Sequence, residues 1–310
     1  MLRPYLQLVR IPAVFSSLSN AFAGWFIGVT LVTSGAVSAP GAAAAPVPAL
    51  IPGLLAAGLY LLAGMALNDI ADLKVDRAER PSRPLPSGAV SVARAWMLVS
   101  GFFALGLALQ WLANPVAAQV GALLIAAIFL YNFVLKGTIL GPVSMGLCRV
   151  LNLAGAVALS LPSLAAFAAL PAAVYGALAS LGFYVALVTW LARDEVQGNS
   201  VRRVKAFMIG FAAWFAGWAA FASTVRSWVS LGVVVVLIGH FWLLKNAIAG
   251  LRARPTAPAS TGKTVGGMLG TMPATDALAM LATGVAIPWA LAGLLWMVPG
   301  RLLARRFYST

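Results

Sequence analysis

Apolar residues run along this chain in long stretches, and polar residues gather in the short breaks between them. A helix needs about 20 predominantly apolar residues to cross a bilayer core. Nine stretches meet that length: 11–32, 47–67, 94–113, 115–135, 142–162, 166–191, 206–225, 228–247 and 275–298. The pattern predicts an all-α polytopic membrane protein with a single transmembrane domain over residues 1–310. Little more than Asn114-Pro115 separates the third and fourth spans, and Pro162 and Pro171 bracket the fifth turn. The break between the seventh and eighth spans rests mainly on Arg226.

Charge then sets the orientation. Basic residues collect in the inner loops of membrane proteins. With the N-terminus inside, 16 of the 21 Lys and Arg residues fall on the inner side. Arg226, Arg301, Arg305 and Arg306 fall outside, and Arg149 falls within a span. The three C-terminal arginines fit badly, which predicts either a re-entrant piece or a missed span near the end. The net charge of +14 would suggest nucleic acid in a soluble protein, but here topology accounts for it. The chain is 62% apolar with a mean hydropathy of +0.94. It is expected in the bacterial inner (cytoplasmic) membrane, its N-terminal stretch an uncleaved first span. One cysteine, Cys148, excludes an internal disulfide, and the lone His240 reads as an interhelical polar residue rather than a ligand.

Against so apolar a background the acids stand out. Of seven, four (Asp69, Asp72, Asp76 and Glu79) fall within residues 69–79. At about 100° per residue, Asn68, Asp69, Asp72 and Asp76 share roughly 100° of one helical face. Like charges so placed repel mildly, by a few tenths of a kcal/mol, unless a cation sits between them. Mg²⁺ takes one or two carboxylates together with substrate phosphates and waters. Arg77, Arg80 and Arg83 follow, and guanidinium forks suit phosphate oxygens. The combination reads as a metal-diphosphate site, with a solvated loop as the bland alternative.

A second acidic pair, Asp194 and Glu195, follows the sixth span, so six of the seven acids lie at two inner helix ends that can meet across one cavity mouth. Ionisable residues within spans are costly and by default functional. Lys136 closes the fourth span, and snorkelling to the interface would be enough to explain it. Arg149 lies about two turns inside the fifth, and Asn152 follows at i+3, so both can face one cavity. Ser16, Ser17 and Asn20 give the first span a polar stripe that either lines that cavity or glues helices together. Thr-Gly-Lys-Thr around Lys263 lacks the upstream glycine and strand of a phosphate loop.

The run Asn68-Asp69-x-x-Asp72-x-x-x-Asp76-Arg77, continued by Arg80-Pro81-x-Arg83-Pro84-Leu85-x-x-Gly88, resembles the first signature of the UbiA-type intramembrane prenyltransferases. The nine-span layout, Tyr131 with Lys136, and the second acidic pair are similar to that family as well. Cys148-Arg149-x-x-Asn152 and Asp194-Glu195-Val196 resemble its EboC-like branch. The resemblance implies nine helices bundled around a central cavity that opens laterally to lipid. It implies Mg²⁺-bridged binding of a polyprenyl diphosphate donor and transfer of the prenyl group to an aromatic or other lipophilic acceptor. Asn68, Asp69, Asp72 and Asp76 would bind metal and diphosphate, with Asp194 and Glu195 as the second metal set. Arg77 and Lys136 would neutralise leaving-group charge, while Arg83, Arg149 and Asn152 would complete diphosphate binding. Asp69, Asp72 and Lys136 are the expected catalytic residues. The second motif departs from the family, because Asn199 and Ser200 follow Gly198 where a further acid and base are common; Arg202 or Arg203 would have to supply the charge.

Two rivals remain at this stage. A CDP-alcohol phosphotransferase is also Asp-rich, but its Asp-Gly-x-x-Ala-Arg core is missing. A non-catalytic carrier or transporter of lipid diphosphates would use the same first motif without turnover. The sequence is silent on the acceptor, the donor chain length and the oligomeric state.

Overall fold

The computed structural model describes residues 2–37, 47–194, 198–225 and 227–307, and every regular element among them is helical. A short α1 (Arg3–Leu8) and a 3-10 turn at Ile11–Ala13 lead into α2 (Val14–Thr33). The chain returns along α3 (Leu50–Ala71), turns through α4 (Leu73–Glu79), and makes a hairpin of α5 (Val92–Ala113) and α6 (Pro115–Leu130). A π-helical turn at Tyr131–Leu135 extends α6. Then follow α7 (Gly141–Ala158), the short α8 (Ala165–Ala168), α9 (Ala172–Ala192), α10 (Val201–Thr224) and α11 (Trp228–Ala253). The last quarter holds α12 (Pro258–Gly270), α13 (Met272–Ala282), α14 (Ile287–Gly293) and α15 (Met297–Phe307). Nine helical stretches among the described residues are long and apolar enough to cross a membrane, which makes the chain an integral membrane protein.

Local chemistry fixes the helix ends. Asn114 is extended, as a residue before proline prefers. Its Oδ1 accepts from Val116 N at 2.8 Å, capping α6, while its Nδ2 donates to the carbonyls of Leu159 and Leu161, each at 3.1 Å. One side chain therefore closes the tight hairpin and ties it to the end of α7. Ser91, Ser200 and Ser227 cap α5, α10 and α11 in the same way.

Helices α2 and α7 approach backbone to backbone. A Cβ at Gly24 would lie 2.4 Å from the Leu153 carbonyl oxygen, and one at Gly28 would lie 2.7 Å from that of Val157. This is the small-residue interface by which helices associate in lipid, where burial of apolar surface supplies little drive. Around that pair, α3 packs on α2 and α5, and α9 on α7. The core of the second half is α13, buried along nearly its whole length between α2, α9 and α11. Large apolar side chains such as Met97, Leu112, Ile139 and Trp228 face outward, as a lipid solvent allows.

The end of the chain departs from expectation. The apolar run 275–298 is not one span: α13 stops at Ala282, Gly284 turns at φ +86°, and a new helix starts at Ile287. Hydropathy misses this turn because it carries no charged residue. Helices α12 and α13, of 13 and 11 residues joined at Thr271, together reach about 37 Å at 1.5 Å per residue. From Ile287 the chain runs antiparallel to α2: Trp289 stacks on Phe26 at 4.8 Å, Trp296 lies 6.3 Å from Phe15, and Gly300 sits beside Pro12 and Phe15. Arg301 therefore comes back to the end of the molecule that holds Arg10, which removes the misfit of the C-terminal arginines. The sixth helix likewise begins later than expected, at Ala172, because Pro171 serves as its N-cap.

Candidate active site

The first acidic cluster splits into two groups where α3 gives way to α4. Asp72 is the junction residue, C-cap of α3 and N-cap of α4. Asn68, one turn earlier, donates from Nδ2 to Asp72 Oδ2 at 3.1 Å, and Lys136 Nζ donates to Asn68 Oδ1 at 2.7 Å and pairs with Asp72. The π-helical turn before Lys136 swings it across to this site, and such turns recur at functional sites. Lys136 is thus a residue held in place, not one that snorkels.

The second group is Asp69 with Asp76, both nearly fully buried. Arg83 bridges them, 2.6 Å from Asp76 Oδ2 and 3.6 Å from Asp69 Oδ1. Arg80 lies 3.6 Å from Asp76, and Arg10 donates to Asp69 at 2.8 Å. Arg10 comes from the N-terminal turn and holds a left-handed backbone, φ 49° and ψ 56°, rare for a non-glycine residue. Buried carboxylates demand such partners, since an unpaired charge there is severely penalised.

These residues stand at a cavity of about 1430 Å³. Arg10, Asn68, Asp72, Asp76, Glu79, Arg80, Arg83 and Lys136 line its charged mouth, with Arg193 and Asp194 from the end of α9. Phe15, Tyr131, Arg149, Pro273 and Trp296 line it as well. Arg149 is buried, 9% exposed, and donates to Ser16 Oγ at 3.0 Å. Its remaining donors have no protein partner among the described residues.

Some expected residues fall elsewhere. Arg77 is exposed and lines no part of the cavity. Asn152 donates to Asn20 Oδ1 at 2.8 Å and to the Ser17 carbonyl at 3.3 Å, so its amide ties α7 to α2 and does not line the cavity. Asp194 is partly exposed and pairs with Arg203, one of the two arginines expected to supply the missing charge. Glu195 lies outside the described residues. Asn199 is buried, with its Nδ2 spent on the Leu191 carbonyl (3.0 Å) and Thr261 (3.1 Å). Gly198 at φ +85° leaves no room for a side chain, because a Cβ would meet the Thr256 carbonyl oxygen at 2.1 Å. His240 meets Tyr184 and Thr271 through Nε2, at 3.3 and 3.4 Å, inside an aromatic cluster. Sequence reasoning passed over Arg10 and the seventh acid, Asp276, which is buried in α13. An acid inside an apolar run was a usable signal for Asp276; nothing local marked Arg10.

The oxygen donors suit a hard cation. No group of three or more His, Cys, Asp or Glu side chains converges among the described residues. Asn68 and Asp72, already in contact on the cavity wall, offer the one or two protein oxygens that Mg²⁺ takes when phosphates and waters complete its shell.

Comparisons with known proteins show the family and the fold. Digeranylgeranylglyceryl phosphate synthase of Methanosarcina barkeri is 32% identical over 145 residues, 46% of this chain and 50% of that protein. The synthase of Methanopyrus kandleri is 36% identical over 137 residues, 44% and 45% of the two chains. The match therefore spans about half the length of these curated relatives, and neither carries the EboC-like name. Two solved structures share the fold. A UbiA homologue from Aeropyrum pernix K1 superposes with a TM-score of 0.63 at 21% identity, over 84% of this chain and 96% of that one. A UbiA homologue from Archaeoglobus fulgidus bound to GPP and Mg²⁺ gives 0.60 at 17% identity, over 94% and 99%. The profile of the UbiA prenyltransferase family matches residues 26–245, and with that match across most of its length the chain belongs to this family.

Proposed function

We propose that the protein is a Mg²⁺-dependent prenyltransferase that moves a prenyl group from a polyprenyl diphosphate to a lipophilic acceptor. The observation that carries this reading is the Asn68–Asp72–Lys136 cluster on the wall of a large cavity, with arginines from three chain segments around it. Fold and family membership support it, as do the named activity of the relatives and the GPP and Mg²⁺ of a structural neighbour.

Asn68, Asp72, Asp76 and Asp194 are the cavity-lining oxygens that would hold Mg²⁺, which when bound supplies charge neutralisation at the diphosphate. Lys136, Arg80, Arg83 and Arg10 stand where the diphosphate charge would develop as the allylic C1–O bond breaks and the leaving group takes the electron pair. Tyr131, Phe15 and Trp296 line the cavity with aromatic rings; an aromatic face stabilises a desolvated cation by about 2 kcal/mol. The acceptor nucleophile then bonds to C1 and gives up a proton. The apolar walls exclude the water that would otherwise intercept that centre. We place the mouth on the cytoplasmic side of a bacterial inner membrane, because basic residues concentrate at that end.

One observation favours a non-catalytic carrier: Asp69, Asp72, Asp76 and Asp194 already have basic partners, so these four carboxylates are neutralised without metal. Purified protein incubated with Mg²⁺, labelled prenyl diphosphates and a lipid extract decides between the two. Transfer gives free diphosphate and a prenylated lipid, whereas a carrier binds the diphosphate and returns it intact.

A further inference from the structure

Asp276 lies apart from both acidic clusters, and the proposed chemistry does not use it. It sits in the middle of α13, 1% exposed, and no Lys or Arg comes within ion-pair distance among the described residues. Its Oδ2 accepts from Ser19 Oγ at 2.6 Å and its Oδ1 from Asn20 Nδ2 at 3.0 Å. A buried carboxylate is expensive to keep, and one that never reaches the cavity demands a reason.

The reason lies two links further on. Asn20 Oδ1 accepts from Asn152 Nδ2 at 2.8 Å, and one turn before Asn152 on α7 stands Arg149. Arg149 donates to Ser16, one turn before Asn20 on α2. The side chains thus form a ladder with two rungs between α2 and α7, and Asp276 of α13 terminates one of them. A carboxylate only accepts hydrogen bonds, whereas an amide can turn either way. Asp276 therefore holds Nδ2 of Asn20 toward α13 and leaves its Oδ1 toward Asn152, which sets the direction of that rung. The Ser17 carbonyl, which accepts from Asn152 Nδ2 at 3.3 Å, sets the same polarity from the α7 side.

We propose that Asp276 is a positioning residue: through Asn20 and Asn152 it fixes the face that α7 turns to the cavity, and so aims the Arg149 guanidinium at a bound anion. The inference rests on the reading of the cavity as a diphosphate site.

The test maps the modification of Arg149 by an arginine-specific dicarbonyl reagent, using peptide mass spectrometry on the intact protein, with and without inorganic diphosphate plus Mg²⁺. In wild type, diphosphate slows labelling of Arg149. In Asp276→Asn, which keeps the volume but removes the charge by which α13 holds Asn20, the labelling rate shifts at least about fivefold and protection is lost. Labelling of Arg301 and the melting temperature stay near wild type. Asn20→Ala cuts the same ladder one link later and gives the same result, so a poorly folded Asp276 variant does not end the test. Unchanged labelling and unchanged protection in both variants overturn the proposal. If labelling shifts in the variants but diphosphate protects Arg149 in none of the proteins, the positioning role stands and the diphosphate reading of the cavity falls.

Discussion

The two acidic clusters at the cavity mouth look alike in sequence and differ in construction. In the first, Asp69 and Asp76 are buried and Asp72 is partly covered, and each of these three is gripped by a base, two of the bases from distant segments: Arg10 by 59 residues, Lys136 by 64. In the second, the Asp194 side chain is 41% exposed and pairs with Arg203 only nine residues away, while the neighbouring Asn199 is consumed in holding α9 to α12. The first is fixed before substrate arrives, and preorganised charge is what lowers a barrier. An exposed local pair contributes about 0–1 kcal/mol and rearranges readily. The first cluster should therefore carry the chemistry and the second tune the cation.

The largest effects should follow from breaking the fixed cluster. Asp72→Asn and Lys136→Met are each expected to lower kcat/KM about 10²- to 10³-fold without unfolding the bundle, measured by release of diphosphate from an allylic donor. Next comes Arg10→Ala, which leaves Asp69 to Arg83 alone. A hydrogen bond to a charged group contributes about 1.5–3 kcal/mol, so a loss of roughly 10- to 100-fold in the same assay is expected. A value near wild type would show that Arg83 suffices.

The adaptable cluster should answer more gently and in a different quantity. Asp194→Ala should raise the Mg²⁺ concentration for half-maximal activity about three- to tenfold, with the rate recovering at saturating Mg²⁺. Loss of the maximal rate at every Mg²⁺ concentration would erase the distinction between the clusters. Smallest of all is Arg77→Ala: the side chain is exposed and outside the cavity, so activity should stay within about twofold.

These contrasts also show what the chain made legible. Span positions followed from hydropathy, since length and apolarity are local properties. The first cluster was readable because acids are so rare here that four within residues 69–79 needed an explanation. What could not be read was pairing across distance. That Lys136 meets Asn68 and Asp72 depends on a π-helical turn, and that Arg10 meets Asp69 depends on a left-handed residue. The shared face of Asn68, Asp69, Asp72 and Asp76 assumed one continuous helix, and the break at Asp72 sorted the four into two groups. The last hairpin stayed hidden because its turn carries no charge, and the i,i+3 spacing of Arg149 and Asn152 did not show that the Asn152 amide bonds to α2, because facing inward is compatible with either a cavity or a neighbouring helix.

The most direct test of the central claim is a single-turnover measurement on purified protein loaded with a labelled allylic diphosphate, wild type beside Asp72→Asn, with Mg²⁺ and then with chelator. The account predicts that wild type releases diphosphate only with Mg²⁺, and that Asp72→Asn retains the donor but releases almost none. Intact donor recovered from wild type under every condition, or release from Asp72→Asn at the wild-type rate, would contradict it.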